Sequence, residues 1–451
     1  MASAAEQMAA NLSWGALAKA TDLRQRIFFT IGLLIVYRLG TYIPVPGIDG
    51  DALRSFVREA GQGLGGMLNM FTGGAIGRMG IFALGIMPYI SASIIVQLLG
   101  TMYEPWKALK KEGELGRKKM NQYTRYGTVF LAIFQAYGIA ASLQAGDMAH
   151  NPGWFFIASA VITLVGGTMF LMWLGEQITA RGIGNGISLI IFVGIVAEIP
   201  VAMFQFLAQG RSGAISTPVI LGILVLVVAV IMFVVFMERA LRKIHIQYPR
   251  RQVGMKVYDG GSSHLPIKVN PAGVIPAIFA SSILMLPATI GTFGGSTNPV
   301  LSAIALYLGF GTPLHSLALV LLIVFFSYFY TQNVSLKVDE VAENLKNQNG
   351  FIPGIRPGKK TEDYLTYVVN RVLVLGSAYL AAVCLLPELL ISQVGVPFYF
   401  GGTSVLIVVS VTMDTINQVQ SHLLAHQYES LIEKSQLRGK RKTGPRAPAR
   451  R

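Results

Sequence analysis

Ten long, mostly apolar runs divide this chain, and no other feature limits its fold as much. They extend approximately from Ile27 to Tyr42, Ile76 to Leu99, Tyr126 to Leu143, Trp154 to Leu174, Ile187 to Phe206, Pro218 to Met237, Val274 to Ile290, Leu314 to Tyr330, Val368 to Leu390 and Thr403 to Val419. A helix rises about 1.5 Å per residue and the hydrocarbon core of a bilayer is about 30 Å thick, so runs of about 17 to 25 apolar residues are long enough to cross it. Composition points the same way: 53% of the 451 residues are hydrophobic and 13% are charged, about half the charged share of a soluble domain. The first run is interrupted by Arg38, and the seventh is short and carries Pro276 and Pro287. Residues 1–26 contain no apolar core of the kind a cleavable signal requires and read as a polar arm with a surface helix.

Charge supplies the orientation. The chain holds 37 Lys and Arg against 22 Asp and Glu, a net charge of +15. Of these 37, 32 lie in the N-terminal arm, in the segments after the second, fourth, sixth and eighth runs, and in the tail. Arg54, Arg58, Arg78 and Arg211 fall on the other side, and Arg38 lies inside a run. Basic loops are retained in the cytoplasm, so both termini are expected there, as an even number of spans requires. Three cytoplasmic segments are long enough to dock a partner: Thr101 to Arg125, Glu238 to Asn270 and Thr331 to Arg371. A basic excess of this size also suits polyanions such as nucleic acid or anionic lipid.

One external segment stands apart. Ile43 to Ala75 opens with "IPVPGIDG" and closes with "GQGLGGMLNMFTGGA", too glycine-rich for a good helix and too apolar near Met67 to Phe71 for open water. Non-helical backbone at membrane depth survives only inside protein or beside a water-filled cavity. The segment is therefore either a short re-entrant element or an ordinary glycine-rich surface loop.

Catalytic patterns fail on inspection. "GIRPGKKT" is one residue short of a P-loop, has no Ser or Thr directly after Lys359 and follows no strand. Gly182, Gly184 and Gly186 in "RGIGNGIS" lack the spacing of a dinucleotide site and read as a tight turn. His422 and His426 are the only histidines at a ligand-like spacing and have no carboxylate in a metalloprotease arrangement. Cys384 is the single cysteine, which excludes an internal disulfide and a cysteine-cluster metal site, and it reads as a small buried apolar residue. Charge inside the runs is sparse: Glu176 and Glu238 stand at run ends, Arg38 can snorkel, and only Glu198 and Asp414 lie deeper.

The segments "YIPVPGID", "NMFTGGAIGRMGIFALGIMPYISASIIVQLL", "KKEGELGRKKMNQYTRYGT", "TMFLMWLGEQITARGIGNGISLIIF", "SSHLPIKVNPAGVIPAIFASS", "GFIPGIRPG" and "VPFYFGGTSVLIVVSVTMD" follow one another along nearly the whole chain. Together they resemble the SecY family of bacterial protein-translocation channels. That resemblance implies an all-α integral membrane protein with ten transmembrane helices in two inverted five-helix halves around a central pore. The expected divisions are an arm at 1–26, a first half at 27–199, an external hinge loop at 200–217, a second half at 218–419 with docking loops 238–270 and 331–371, and a basic tail at 420–451.

The same resemblance implies specific roles. A pore ring would comprise Ile86, Ile90, Ile187, Ile191, Ile275, Ile278 and Ile407. A plug at about 61–74 would comprise Gly61, Gly63, Gly65, Gly66, Met67, Leu68, Asn69, Met70, Phe71, Gly73 and Gly74. A lateral gate that releases apolar segments into lipid would carry Ser91, Ser93, Gln97 and Gln135, and Arg250, Arg251, Lys256 and Arg356 would dock the ribosome, through rRNA phosphates, or the SecA ATPase. Implied partners are SecE, SecG, SecA, translating ribosomes, signal-sequence-bearing preproteins, nascent membrane proteins and anionic lipids, at the bacterial plasma (inner) membrane. No cofactor, metal or catalytic residue is expected, and the chain is not expected to be an enzyme. A secondary transporter of a small solute is the alternative; it would need midplane coupling charges, for which Glu198 and Asp414 are the candidates.

Overall fold

The structure is a computed structural model that describes residues 21–50, 69, 72–212, 216–249, 251–253, 256–258, 261–294, 307, 312–335, 337–394 and 402–441. The helices are α1 (Thr21–Gly40), α2 (Met87–Met102), α3 (Glu104–Lys111), α4 (Glu114–Ala145), α5 (Trp154–Arg181), α6 (Gly186–Arg211) and α7 (Thr217–Arg239), followed by α8 (Ile275–Gly294), α9 (Pro313–Tyr330), α10 (Val338–Asn347), α11 (Lys359–Val394) and α12 (Gly402–Arg441). Four strands, β1 (Leu241–Gln247), β2 (Arg251–Val253), β3 (Lys256–Tyr258) and β4 (Ser262–Lys268), separate α7 from α8. Each of the ten apolar runs overlaps one helix. Among the described residues, α4, α5, α6, α7, α11 and the stretch that begins with α9 are long and apolar enough to cross a bilayer, and Met87–Met102 and Ile275–Leu284 are shorter apolar helices.

Four departures from the sequence reading have physical causes. The first half of the second run is not helical. Residues 72–85 turn repeatedly through local backbone bonds and also pair with the chain just after α1: Val45 N donates to Met79 O at 2.8 Å and Ile81 N to Ile43 O at 2.9 Å. Gly77, Gly80 and Gly85 weaken a helix here, and the stretch is mostly buried, which is what irregular backbone at this depth requires.

The segment from Thr101 to Arg125 is mostly helical rather than a loop. α4, at 32 residues, is about 48 Å long and outruns the apolar core, while Arg125 forks onto Glu176 of α5 at 3.0 and 2.8 Å. The helix α6 likewise continues through Pro200 to Arg211, so helix occupies most of the stretch expected as a hinge loop. The sheet content is the fourth departure: β1 pairs antiparallel with β4 and β2 with β3, giving a two-stranded ribbon that the all-α reading did not include.

A large apolar cluster forms the centre, drawing buried residues from α2, α5, α6, α7, α8, α9, α11 and α12. A second joins α4 and α5 to Val45, Met79, Ala83 and Leu84 of the irregular segment. The helix α8 packs against both α2 and α4, and α12 packs against α6. These are the seams at which elements before and after the 200–217 stretch meet.

Candidate functional site

The seven isoleucines all belong to, or pack against, the central apolar cluster. Ile86, Ile90, Ile191 and Ile407 are buried in the central cluster, and Ile187, Ile275 and Ile278 pack against it half-buried. Local chemistry sets their positions. Ile86 is the N-cap of α2 and its carbonyl accepts from Ile90 N at 3.1 Å, so the two lie one turn apart on one face. The turn before α6 is tight, as expected: Gly184 has φ +86° and a Cβ on Gly186 would overlap the Gly175 carbonyl. Asn185 then accepts from Ile187 N at 3.1 Å and Ser188 N at 3.4 Å, capping α6 and fixing where Ile187 and Ile191 begin their face. Gly184 N donates to Gln418 of α12 at 2.8 Å, tying that cap to the helix that carries Ile407.

Of the expected plug, Asn69, Gly73 and Gly74 are described, whereas Gly61, Gly63, Gly65, Gly66, Met67, Leu68, Met70 and Phe71 lie outside the described residues. Asn69 shapes the exit from that segment: its backbone carbonyl accepts from Gly74 N and its side-chain oxygen from Gly77 N, each at 2.7 Å. Thr72, Gly73 and Gly74 are buried. Arg38, read from sequence as snorkelling, instead turns inward: its Nη1 donates to Gly73 O, and its Nη2 lies 3.7 Å from the Glu198 carboxylate. Arg78 donates to the same carbonyl at 2.8 Å. Sequence reasoning missed this grouping, whose signal was a pair of opposite charges each isolated in an apolar run.

The expected gate residues lie on α2 and α4, the two helices that α8 packs against. Ser91 is buried, Ser93 accepts from Gln97 Nε2 at 3.0 Å, and Gln135 stands half-buried on α4. Across the seam, Ser281 and Ser282 of α8 both donate to the Ile278 carbonyl, at 3.0 and 2.7 Å. Such back-bonding satisfies these two hydroxyls within their own helix.

The two segments expected to dock partners pack together. Gln247 at the end of β1 exchanges backbone bonds with Phe351, both at 2.9 Å. Beneath them Ile244 and Ile267 of the ribbon pack with Ile352, Leu365 and Val369. Arg251 pairs with Tyr258 and Lys256 with Val253 at the ribbon's far end; Arg250 lies outside the described residues. Arg356 is exposed in the bend between Gly354 and Gly358, where its carbonyl accepts from Thr361 Oγ1 at 3.0 Å. Lys110 of α3 donates to Asn333 O at 3.2 Å; partial burial, with Lys337 nearby, pushes its ammonium below the ordinary lysine range. Among the described residues no three His, Cys, Asp or Glu side chains cluster as metal ligands.

Comparison with known proteins matches this architecture. The SecY family pattern matches residues 80–416. The chain is 52% identical over 424 residues to the protein translocase subunit SecY of Escherichia coli (strain K12), covering 93% of this chain and 96% of that one. It is 50% identical over 422 residues to the subunit of the same name from Rickettsia felis, covering 92% and 97%. Among solved structures, one described as a protein conducting channel superposes with TM-score 0.62 at 20% identity, covering 88% of this chain and 92% of that one. Sec61 in the canine ribosome-channel complex superposes with TM-score 0.58 at 19% identity, over the same shares. The fold is therefore that of a multi-pass membrane channel, and by sequence the chain belongs to the SecY family.

Proposed function

We propose that the chain is the protein-conducting pore of a bacterial translocase, passing unfolded secretory polypeptides across the plasma membrane and releasing transmembrane segments sideways into lipid. The observation that carries this reading is that seven isoleucines, from the N-cap and first turn of α2 and from α6, α8 and α12, all belong to or pack against one central apolar cluster. A narrow apolar constriction dewets and excludes ions, yet binds no particular side chain strongly, so it suits a channel whose cargo varies in sequence. The irregular stretch that begins at Thr72 supports a plug that fills the resting pore. The seam of α8 with α2 and α4, held by packing and locally satisfied serines, supports a gate that parts without breaking strong polar ties, so that a segment of about 20 apolar residues partitions into lipid while a polar one continues across.

Both termini are cytoplasmic in this reading, and the joined ribbon and Arg356 bend form the landing surface for translating ribosomes or the SecA motor. SecE clamps the two inverted halves, SecG accompanies them, and the energy comes from the partners. Arginines suit rRNA phosphates through bidentate, salt-sensitive contacts. A solute transporter is disfavoured because Glu198, one of its two candidate coupling charges, already faces Arg38 and Arg78 at 3.7 and 3.9 Å.

The test uses purified protein with its small partner subunits in vesicles, engaged with a stalled secretory chain that carries a photocrosslinker. Crosslinks to Ile86, Ile191 and Ile407 and not to the lipid-facing positions Phe236 and Leu321, both exposed on the helix surface, are expected. Uniform or absent crosslinking refutes the pore.

A further inference from the structure

Three charges meet where the plug segment rejoins the bundle. Arg38 comes from the last turn of α1, Glu198 from the middle of α6 and Arg78 from the irregular stretch, and their side chains are 24%, 16% and 36% exposed. Charges held this far from water need a reason. Here both guanidinium groups donate to one acceptor, the backbone carbonyl of Gly73, and the Glu198 carboxylate lies 3.7 Å from one and 3.9 Å from the other. Tyr42 lies beneath both, its ring centroid 5.1 Å from the Arg38 guanidinium and 4.3 Å from that of Arg78. Tyr37 adds a bond from its hydroxyl to Thr72 O at 3.3 Å.

The backbone is shaped to receive them. Gly73 and Gly74 have φ of +65° and +79°, a left-handed pair that side chains rarely adopt. A Cβ on Gly73 would stand 3.1 Å from Gly194 Cα of α6, and one on Gly74 would overlap the Glu198 carboxylate and the Arg78 guanidinium. The chain is thus pressed between α1 and α6 at the point where it turns toward the plug. Because the acceptor is a backbone carbonyl, the hold is independent of the side chains in the plug itself.

We propose that Arg38, Arg78 and Glu198 are positioning residues of the channel, an ionic clasp that fixes the root of the plug and sets how readily the idle pore opens. This rests on reading residues 61–74 as a plug. Opening detaches Gly73 from two charge-assisted bonds, which are stronger than neutral ones. Neutralising Glu198 leaves two like charges facing each other and loosens the same hold from the opposite side.

The experiment measures idle potassium conductance of the protein with its partner subunits in planar bilayers, together with crosslinking from a photoreactive residue at position 72 to Tyr37. Deletion of residues 63–74 is the reference for the plug. Arg38→Gln and Glu198→Gln are each expected to raise the open fraction about tenfold, equivalent to about 1.4 kcal/mol, and to weaken the crosslink, while Arg38→Lys stays closer to the parent. If the deletion raises conductance but both glutamine variants match the parent in conductance and crosslink, the clasp is refuted and the plug stands. An unchanged conductance in the deletion refutes both. Should Arg38→Gln fail to assemble, Glu198→Gln, which preserves size and hydrogen-bonding groups, decides alone.

Discussion

In the proposed channel the isoleucine ring and the plug root close the same passage by opposite physics. Ile86, Ile90, Ile191 and Ile407 sit among apolar neighbours with no polar partner to satisfy, so their contribution is burial and dispersion, which have no preferred direction. Thr72 and Gly73 are held by directed bonds from Tyr37, Arg38 and Arg78. A constriction that must close around any polypeptide, and again around none, is best built from contacts that do not depend on direction. A segment that must return to one place after each passage needs contacts that do. The first kind tolerates variation in what passes; the second registers a single resting position.

The comparison breaks most visibly if a charge enters the ring. Ile407 is fully buried within the central apolar cluster, and Ile407→Asp places a carboxylate there. Burying a polar group without a partner costs about 2–7 kcal/mol, so the cluster either opens to water or fails to pack. The expected result is a large, constitutive ion conductance in bilayers, or loss of accumulated protein. Ile407→Ala separates the two consequences: the cavity costs about 2–5 kcal/mol, visible as a lower Tm, while ion exclusion falls far less because the lining remains apolar. Equal leak in the alanine and aspartate variants would show that volume and not polarity makes the seal.

An effect of intermediate size is expected at the plug root. Gly74→Val forces a β-branched residue to φ +79° and into the Glu198 carboxylate, with strain of about 1–3 kcal/mol from the backbone alone. Idle conductance should rise by less than in Ile407→Asp, and the rise should vanish in a chain that already lacks residues 63–71. Away from the pore, Arg356→Ala should leave conductance unchanged. If the bend contacts rRNA phosphate, that variant weakens ribosome binding and lowers the salt dependence by about one unit of slope, read from binding at several ionic strengths.

How much of this was legible in the sequence follows from the range of the interactions. Length and apolarity are local, so the ten runs mark ten helices, yet the second run misleads because Gly77, Gly80 and Gly85 shift its first half into pairing with Ile43 and Val45. The ribbon carries a period-two pattern, with Ile244 and Ile246 buried between exposed or half-buried neighbours, but the charge of the loop obscures it. The isoleucines of the proposed ring are ordinary residues in apolar segments, so only likeness to a family selects them, and only tertiary structure puts them in or against one cluster. The clasp is least legible of all: Arg38, Arg78 and Glu198 stand far apart in the chain, and the acceptor the two arginines share is backbone, which leaves no mark in the pattern of side chains.

The smallest effect tests whether the clasp matters by its place or by its charge. Arg125 and Glu176 form the better ion pair by geometry, forked at 3.0 and 2.8 Å, with side chains 46% and 33% exposed. Each lies on a continuous helix, α4 or α5, and neither touches a backbone that must move. Solvent screening reduces such a pair to about 0.2–1 kcal/mol, and added salt weakens it further. Arg125→Gln should therefore lower stability by no more than that, measured with a double-mutant cycle against Glu176→Gln, and should change idle conductance by less than about twofold. A rise as large as that of Arg38→Gln would mean that any ionic tie between helices holds the channel shut, and the Gly73 carbonyl would lose its special standing. A small change confirms the distinction drawn between the two regions: a salt bridge governs the gate only where its donors also hold the segment that has to leave.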